Sequence, residues 1–240
     1  MTSQKLLRTT LLSFFLIASI SITAKAQQTV SASEIMEAVK KGEDVNYSNV
    51  TVTGVLDFTF MEEKEGDLPR RRSWWRGGGD NTVNEDIESR ISFTNVTFQD
   101  HVIAYYHDKR TEYTFTADFE KAVTFKNCDF QRDAMFKYST FERGASFSGA
   151  QFNGESTFKY AEFEEEGDFS NAFFDDDAIF KYTKFRSGAS FNAAKFDRSL
   201  DMKYTKVRGD FDMKDMVVRW DMDTKYAEVN GRNLDRYKDR

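Results

Sequence analysis

The sequence predicts an all-β protein, a four-sided β-solenoid preceded by a short capping helix, and three regularities support this prediction. Phe residues recur at spacings that alternate between five and six, and a small residue stands two positions before each Phe of this series from Phe130 to Phe196. A longer pattern repeats every 22 residues. Because one turn of such a coil cannot bury its own apolar side chains, stacked turns must form one continuous core.

The first 26 residues are typical of an export signal and are not expected to belong to the fold. Lys5 and Arg8 make the start basic, an apolar run covers residues 9–23, and Ala24-Lys25-Ala26 offers small residues where a signal peptidase cuts. The run is short for a membrane span, and no later segment has the ~18 consecutive apolar residues of one. We therefore expect cleavage after Ala26, no transmembrane segment, and a periplasmic or extracellular mature chain.

The charge and the cysteine count narrow the choice of partners. The sequence has 34 basic and 40 acidic residues, and three of the basic residues lie within 1–26, which leaves 31 and a mature net charge of −9. An acidic chain disfavours nucleic acid and anionic membranes as partners. Cys128 is the single cysteine. A disulfide framework is therefore excluded, and the position of Cys128 in the repeat indicates a core residue.

The Phe repeat becomes fully regular at Phe125. The inward-facing core is expected to contain fourteen Phe residues: Phe125, Phe130, Phe136, Phe141, Phe147, Phe152, Phe158, Phe163, Phe169, Phe174, Phe180, Phe185, Phe191 and Phe196. The spacing continues with Met202, Val207, Met213 and Val218. Two apolar residues in eleven are too sparse for a helical stripe. A small and a large residue two positions apart, in contrast, both face the same side of a strand.

The 22-residue pattern predicts the shape of the coil and a surface feature. It spans four units of five or six residues, which indicates four sides, and successive coils should stack at ~4.8 Å. A Lys-Tyr pair recurs at this period and defines a candidate surface ladder: Lys137, Tyr138, Lys159, Tyr160, Lys181, Tyr182, Lys203 and Tyr204. Its Tyr rings could stack on a polysaccharide, or they could simply cover the wall and form hydrogen bonds at the corner.

The unit small-x-Phe-x-x across residues 125–218 resembles the pentapeptide-repeat family, in which the two fixed positions are usually Ala and either Leu or Phe. The resemblance implies a right-handed quadrilateral β-helix and a bacterial origin. Some members of this family mimic DNA and bind a type II topoisomerase through an acidic surface, but the export signal disfavours that role here. The extra residue in alternate units departs from the family pattern, and we expect it to loosen two opposite corners.

The regularities divide the chain into four parts. They are an export signal (1–26), a capping helix (27–43), the solenoid (44–218) and a C-terminal cap or hairpin (219–240). The solenoid contains irregular first coils (44–60 and 87–119), an insertion loop (61–86) and regular coils (120–218). Ser33 is expected to cap the helix and Gly42 to end it, and Asn230-Gly231 predicts a tight hairpin turn. The C-terminal end could also form a homodimer contact.

The insertion carries a candidate partner-binding loop. Its members are Arg70, Arg71, Arg72, Trp74, Trp75 and Arg76. Insertions in solenoids become surface loops that often bind partners, and basic residues beside Trp suit an anionic glycan or a protein. A loop whose basic half is neutralised by its acidic half, Glu62 to Asp67, is the structural alternative.

No catalytic, metal or cofactor site is predicted. His107 and Asp108 are adjacent, but neighbouring residues on a strand point to opposite faces. The triplets Glu164–Glu166 and Asp175–Asp177 lack the alternating ligand spacing of a calcium loop. The leading hypothesis is a non-enzymatic exported scaffold that presents a rigid surface to an unknown protein or envelope glycan. A glycan-binding module that uses the surface ladder is the second.

Overall fold

The computed structural model describes residues 28–64, 68 and 81–237, and it is a stack of seven four-sided coils. Strand β1 (Gln28–Ser31) and helix α1 (Ala32–Lys40) precede the coils. The expected export signal and the candidate loop at 70–76 lie outside the described residues. Neither α-helix in the described part is long and apolar enough to cross a membrane.

The first two coils carry all the irregular segments. Coil 1 consists of β2 (Val45–Ser48), β3 (Val50–Thr53), β4 (Leu56–Asp57), the short helix α2 (Met61–Lys64) and β5 (Thr82–Ile87). Coil 2 consists of β6 (Ile91–Thr94), β7 (Thr97–Phe98), β8 (Val102–Ile103), β9 (Tyr105–Asp108) and β10 (Tyr113–Phe119).

The next five coils are regular and have four short strands each. Coil 3 contains β11 (Val123–Lys126), β12 (Asp129–Phe130), β13 (Ala134–Met135) and β14 (Thr140–Phe141), and coil 4 contains β15 (Ala145–Ser146), β16 (Gln151–Phe152), β17 (Ser156–Thr157) and β18 (Glu162–Phe163). Coil 5 contains β19 (Gly167–Asp168), β20 (Phe173–Phe174), β21 (Ala178–Ile179) and β22 (Lys184–Phe185), and coil 6 contains β23 (Ala189–Ser190), β24 (Lys195–Phe196), β25 (Leu200–Asp201) and β26 (Lys206–Val207). Coil 7 contains β27 (Phe211–Asp212), β28 (Val217–Val218), β29 (Met222–Asp223) and β30 (Glu228–Val229). Strand β31 (Arg232–Asn233) and a 3₁₀ helix (Leu234–Tyr237) follow.

Each coil contributes one strand to each of four parallel sheets, which we number faces 1 to 4 in their order along the coil. Face 1 runs from β2 to β27, face 2 from β3 to β28, face 3 from β4 to β29 and face 4 from β5 to β30. In the regular coils, partners lie 22 residues apart, as Ser146 and Asp168 do. The predicted four-sided β-solenoid is therefore confirmed.

The Phe side chains form the core as four columns, one for each face. All fourteen are at most 1% exposed. The ring of Phe158 lies over that of Phe136 at 5.3 Å and under that of Phe180 at 4.9 Å. The columns of faces 1 and 3 meet edge to face across the centre, as Phe158 and Phe169 do at 5.1 Å and 81°. Such offset and edge-on contacts are the preferred aromatic geometry.

The N-terminal segment caps the stack differently from the prediction. Ser31, and not Ser33, caps α1, because its hydroxyl accepts a hydrogen bond from the Ser33 N–H at 3.2 Å. Residues Gln28–Ser31 form a strand that pairs with β3, although they were expected within the helical segment. Gly42, with φ +71°, ends the helical region as expected, and its N–H donates to the Val39 carbonyl at 2.9 Å.

The solenoid also extends past its expected end at residue 218. Strands β29 and β30 pair in parallel with β25 and β26, and Thr224 and Val229 are buried at inward positions. The repeat was missed there because Thr224 replaces an apolar residue. A hairpin between β30 and β31 turns at Asn230 and Gly231, which have φ +49° and +72°.

Two boundaries in the first coils also differ from the prediction. The coil resumes at Thr82 instead of residue 87, because β5 pairs with β10 over six residues from Thr82 to Ile87. Within 87–119, β9 turns back to pair with β10 in an antiparallel hairpin. Asp108 closes this hairpin by accepting hydrogen bonds from the Arg110 N–H at 2.8 Å and the Thr111 hydroxyl at 2.7 Å.

Candidate interaction surface

The Tyr residues of the surface ladder lie at the corner between faces 3 and 4. We name this the tyrosine corner and include a fifth residue that the sequence prediction omitted; its members are Tyr138, Tyr160, Tyr182, Tyr204 and Tyr226. All have positive φ, between +59° and +66°. Each is the third residue of a β-turn, and in one of these turns the Ala161 N–H donates to the Phe158 carbonyl at 2.9 Å. These Tyr residues therefore lie in turns at a corner of the coil.

The rings of the tyrosine corner stack on one another. Successive ring centroids are 5.0, 4.7, 4.6 and 4.9 Å apart. The ring of Tyr105 in the β9 hairpin lies next to that of Tyr138 at 5.8 Å and is tilted by 54°. Neighbouring rings therefore cover the ring faces, which leaves ring edges and hydroxyl groups at the surface. A sugar that stacks on ring faces, one of the two alternatives, would therefore find no free ring face inside the column.

An open groove runs along the tyrosine corner on the side of face 4. Its volume is about 670 Å³. Four Tyr rings form one wall, and the opposite side consists of Thr140, Glu162, Lys184 and Lys206. The groove therefore combines aromatic edges with both signs of charge.

The acid in the groove is compensated by cations. Glu162 accepts hydrogen bonds from Lys184 and Arg186, and Arg186 also contacts Glu164 at 2.6 Å. Partial burial by itself would raise the pKa of Glu162, but the two hydrogen bonds and the two positive charges outweigh it and lower the pKa. Glu162 is therefore ionised at neutral pH and holds both cations in place.

The Lys residues of the surface ladder are the second residues of the same corner turns, on the side of face 3. The ammonium groups of Lys137, Lys159 and Lys181 are 4.7, 5.3 and 5.5 Å from the centroids of the following Tyr rings. Lys203 forms ion pairs with Asp201 and Asp223 at 3.5 and 3.1 Å.

The three earlier lysines, which we name the lysine column, differ from Lys203. None of them forms an ion pair with a residue in the described part of the chain. Lys137 donates to the Tyr105 hydroxyl at 3.0 Å. Partial burial, followed by the charges of Lys137 and Lys181, lowers the pKa of Lys159.

Both insertions of the solenoid leave from the tyrosine corner. Val45 pairs with Ile91, 46 residues on, and Ile91 pairs with Val123, 32 residues on, against 22 in regular coils. The 24 and 10 extra residues follow β4 and β8, so both lie between faces 3 and 4. Phe60, with φ +50°, takes the Tyr position in coil 1. Sequence reasoning found the long insertion but not its alignment with the ladder.

The other polar residues singled out in the sequence are dispersed. The His101 ring lies 3.4 Å from the Asp133 carboxylate. His107 lies on the β9 hairpin, where its ring nitrogen is hydrogen-bonded to the Thr114 hydroxyl at 3.0 Å. Cys128 is buried in the core, and this burial raises the pKa of its thiol to about 12. Within the described residues, no three His, Cys, Asp or Glu side chains form a group that could hold a metal ion.

The acidic triplets take part in the ion pairs of neighbouring coils. Arg143 contacts Glu165 at 3.4 Å, and Arg198 contacts Asp176 at 3.3 Å. These exposed pairs each contribute at most about 1 kcal/mol. They balance opposite charges on corners that lie above one another in neighbouring coils.

Comparison with known proteins agrees with this geometry. The family description "Pentapeptide repeats (9 copies)" matches residues 116–162 and 136–184. No curated protein and no solved structure matches the chain. The matched residues lie in coils 2 to 5, and the same pairing and the same inward columns continue through coils 6 and 7. The matched repeats and the four-sided coil together identify residues 116–184 as pentapeptide repeats.

Proposed function

We propose that this chain is a non-enzymatic scaffold, exported from a bacterial cell, that presents its tyrosine corner to a protein or glycan of the envelope. One observation carries the proposal: both insertions interrupt the coil at the tyrosine corner and nowhere else in the described strands. They lie in consecutive coils and continue the edge formed by the Tyr rings. Solenoid insertions commonly build a binding face.

The rigidity of the core supports a scaffold role. The stacked Phe columns leave no flexible inward layer in coils 3 to 6, where inward side chains are at most 2% exposed. Such a tightly packed core holds the surface side chains of successive coils at a fixed spacing. The separated His residues and the buried Cys128 favour a non-enzymatic role, and pentapeptide-repeat proteins are generally structural.

Photocrosslinking in the source cells tests the proposal. A photoreactive amino acid replaces Tyr106, which is 37% exposed on the β9 hairpin. The matched control replaces Asn171, an exposed residue at the diagonally opposite corner between faces 1 and 2. We expect discrete cross-linked products from position 106 and none from position 171. Equal products from both positions, or none from 106, would contradict a partner at the tyrosine corner.

Export is tested separately by the N-terminus of the protein isolated from cells. The apolar run and the Ala24-Lys25-Ala26 motif predict a mature chain that starts at Gln27 in an envelope or culture fraction. A cytoplasmic chain that keeps Met1 would refute export and restore the topoisomerase-binding alternative.

We also propose that the C-terminal end forms a homodimer. Strands β27, β28 and β29 have no partner on their outer edges among the described strands. The inward side chains there, among them Phe211, Met213 and Val218, are only partly buried. Open strand edges pair readily with another chain. In sedimentation equilibrium, we expect a dimer that becomes a monomer in Met213→Lys; a monomeric parent protein would exclude this contact.

A further inference from the structure

We infer that the lysine column binds a linear polysaccharide that carries carboxylate groups and lies along the tyrosine corner, parallel to the solenoid axis. This inference rests on the proposed function, because it names a partner class for the same surface. It is carried by the arrangement of charge on face 3, the spacing of the coils and the exposed Tyr hydroxyl groups.

The residues two positions before each lysine explain why the lysine column lacks counter-charges. In the coils of Lys203 and Lys225 these residues are Asp201 and Asp223, which hold Lys203 in ion pairs. In the coils of the lysine column the same outward positions are Met135, Thr157 and Ile179. The column therefore presents three ammonium groups that form no ion pair with the described residues, and the charge of Asp201 offsets that of Lys159 only in part.

The spacing of these charges suits a linear anion. Successive coils are about 4.8 Å apart, so the half-buried ammonium groups form a row along the axis. Partial burial and mutual repulsion already lower the pKa of Lys159. A row of anions would remove the repulsion between all three ammonium groups, whereas an isolated small anion would neutralise only one of them. The binding energy is therefore greatest for a polymer.

The tyrosine corner supplies hydrogen-bonding groups beside the cations. Tyr138 and Tyr160 are 44% and 38% exposed, and their ring faces are covered by stacking. Their hydroxyl groups can donate and accept hydrogen bonds, as sugar hydroxyl groups require. A glycan would therefore contact ring edges and hydroxyl groups and would not stack on the rings.

The opposite edge of face 3 favours a narrow polymer over a nucleic acid duplex. At that edge, burial and the neighbouring Asp133, Asp176 and Asp177 raise the pKa of Glu155, which shows a crowded set of carboxyl groups. A wide polyanion would reach these carboxyl groups as well as the lysines. A single polysaccharide chain can stay on the lysine side.

Titration calorimetry with an oligogalacturonate tests this inference on the purified full-length mature protein. For three cations and a single-stranded polyanion, log K should fall with log salt with a slope of about −2, or roughly 20-fold between 50 and 200 mM. Ile179→Asp copies the position of Asp201 and should neutralise Lys181 and Lys159 without removing a lysine. We expect that variant to reduce the slope to about −0.7.

Matched variants control for folding and for general charge. Lys195→Gln removes one exposed lysine of face 2, away from the lysine column, so this variant should bind with the affinity of the parent protein. Lys159→Gln should weaken binding without a new acid on face 3. Circular dichroism checks that each variant keeps its strand spectrum.

The outcomes separate the two proposals. Absence of oligogalacturonate binding, equal binding of neutral dextran, or tighter binding of duplex DNA or polyphosphate would overturn the glycan inference. An equal loss of affinity in Lys195→Gln and Lys159→Gln would also overturn it. A protein cross-linked from position 106 would still support the scaffold in each of these cases, whereas oligogalacturonate binding with no cross-link at that position would support only the glycan surface.

Discussion

Removal of one ring from the middle of the core should destabilise the solenoid more than any surface change. Phe158 is fully buried and has four close ring neighbours: Phe136 and Phe180 are stacked on it, and Phe147 and Phe169 meet it edge to face. A buried Phe→Ala change costs about 3–5 kcal/mol. The four ring pairs place Phe158→Ala at about 5 kcal/mol, which is comparable with the whole stability of many domains.

The assay is guanidinium unfolding followed by the far-ultraviolet strand signal, with Met135→Ala as the control. Met135 lies on the outer side of face 3 and is only partly buried. Its truncation should therefore cost less than about 1.5 kcal/mol. Because each coil contacts only its neighbours, the Phe158→Ala transition should also become broader or split. Equal costs for the two variants would refute the idea that the Phe columns hold the coils together.

Three further predictions address the core and the groove. Gly167→Ala should cost about 1–3 kcal/mol in thermal unfolding, because an added Cβ would lie 2.8 Å from a ring carbon of Phe185; an unchanged melting temperature would contradict the packing. Cys128 should not react with a thiol reagent at pH 8 until guanidinium unfolds the chain, since burial raises its pKa to about 12. Glu162→Gln should lose at most about 1 kcal/mol near pH 7. Because the folded pKa of Glu162 is lowered, this difference should shrink as the pH falls below the ordinary Glu pKa of about 4.3 and vanish below the folded pKa; a difference that does not shrink would refute the ionic origin.

The core could be predicted from the sequence because few patterns of side chains can fill the inside of a stacked coil. A parallel stack places the same coil position above itself, so each inward site needs a side chain of similar size in every coil. Fourteen identical Phe residues at alternating spacings satisfy this requirement. The end of the repeat could not be read in the same way, because Thr224 fits the inward position without an apolar side chain.

The surface was less predictable because its geometry depends on the backbone of the turns. Tyr has no preference for positive φ, so Tyr160 gave no sign that it occupies a turn. The common corner of the two insertions became visible only from strand pairing, which fixes the coil position of residues that have no repeat of their own. The missing counter-charges of the lysine column did have a signal, since Ile179 and Asp201 occupy equivalent positions.

The positive φ angles of the tyrosine corner have a consequence for protein engineering. A left-handed conformation costs an ordinary residue about 1 kcal/mol, which gives about 5 kcal/mol for the five Tyr residues. Ring stacking returns about 0.5–1.5 kcal/mol for each pair, so the two effects nearly cancel. Asn adopts this conformation more easily, as Asn171 does at the diagonal corner. The side chains of the tyrosine corner should therefore be exchangeable for a different set at almost constant stability. The solenoid could then serve as a scaffold that holds one grafted recognition group per coil at a fixed spacing.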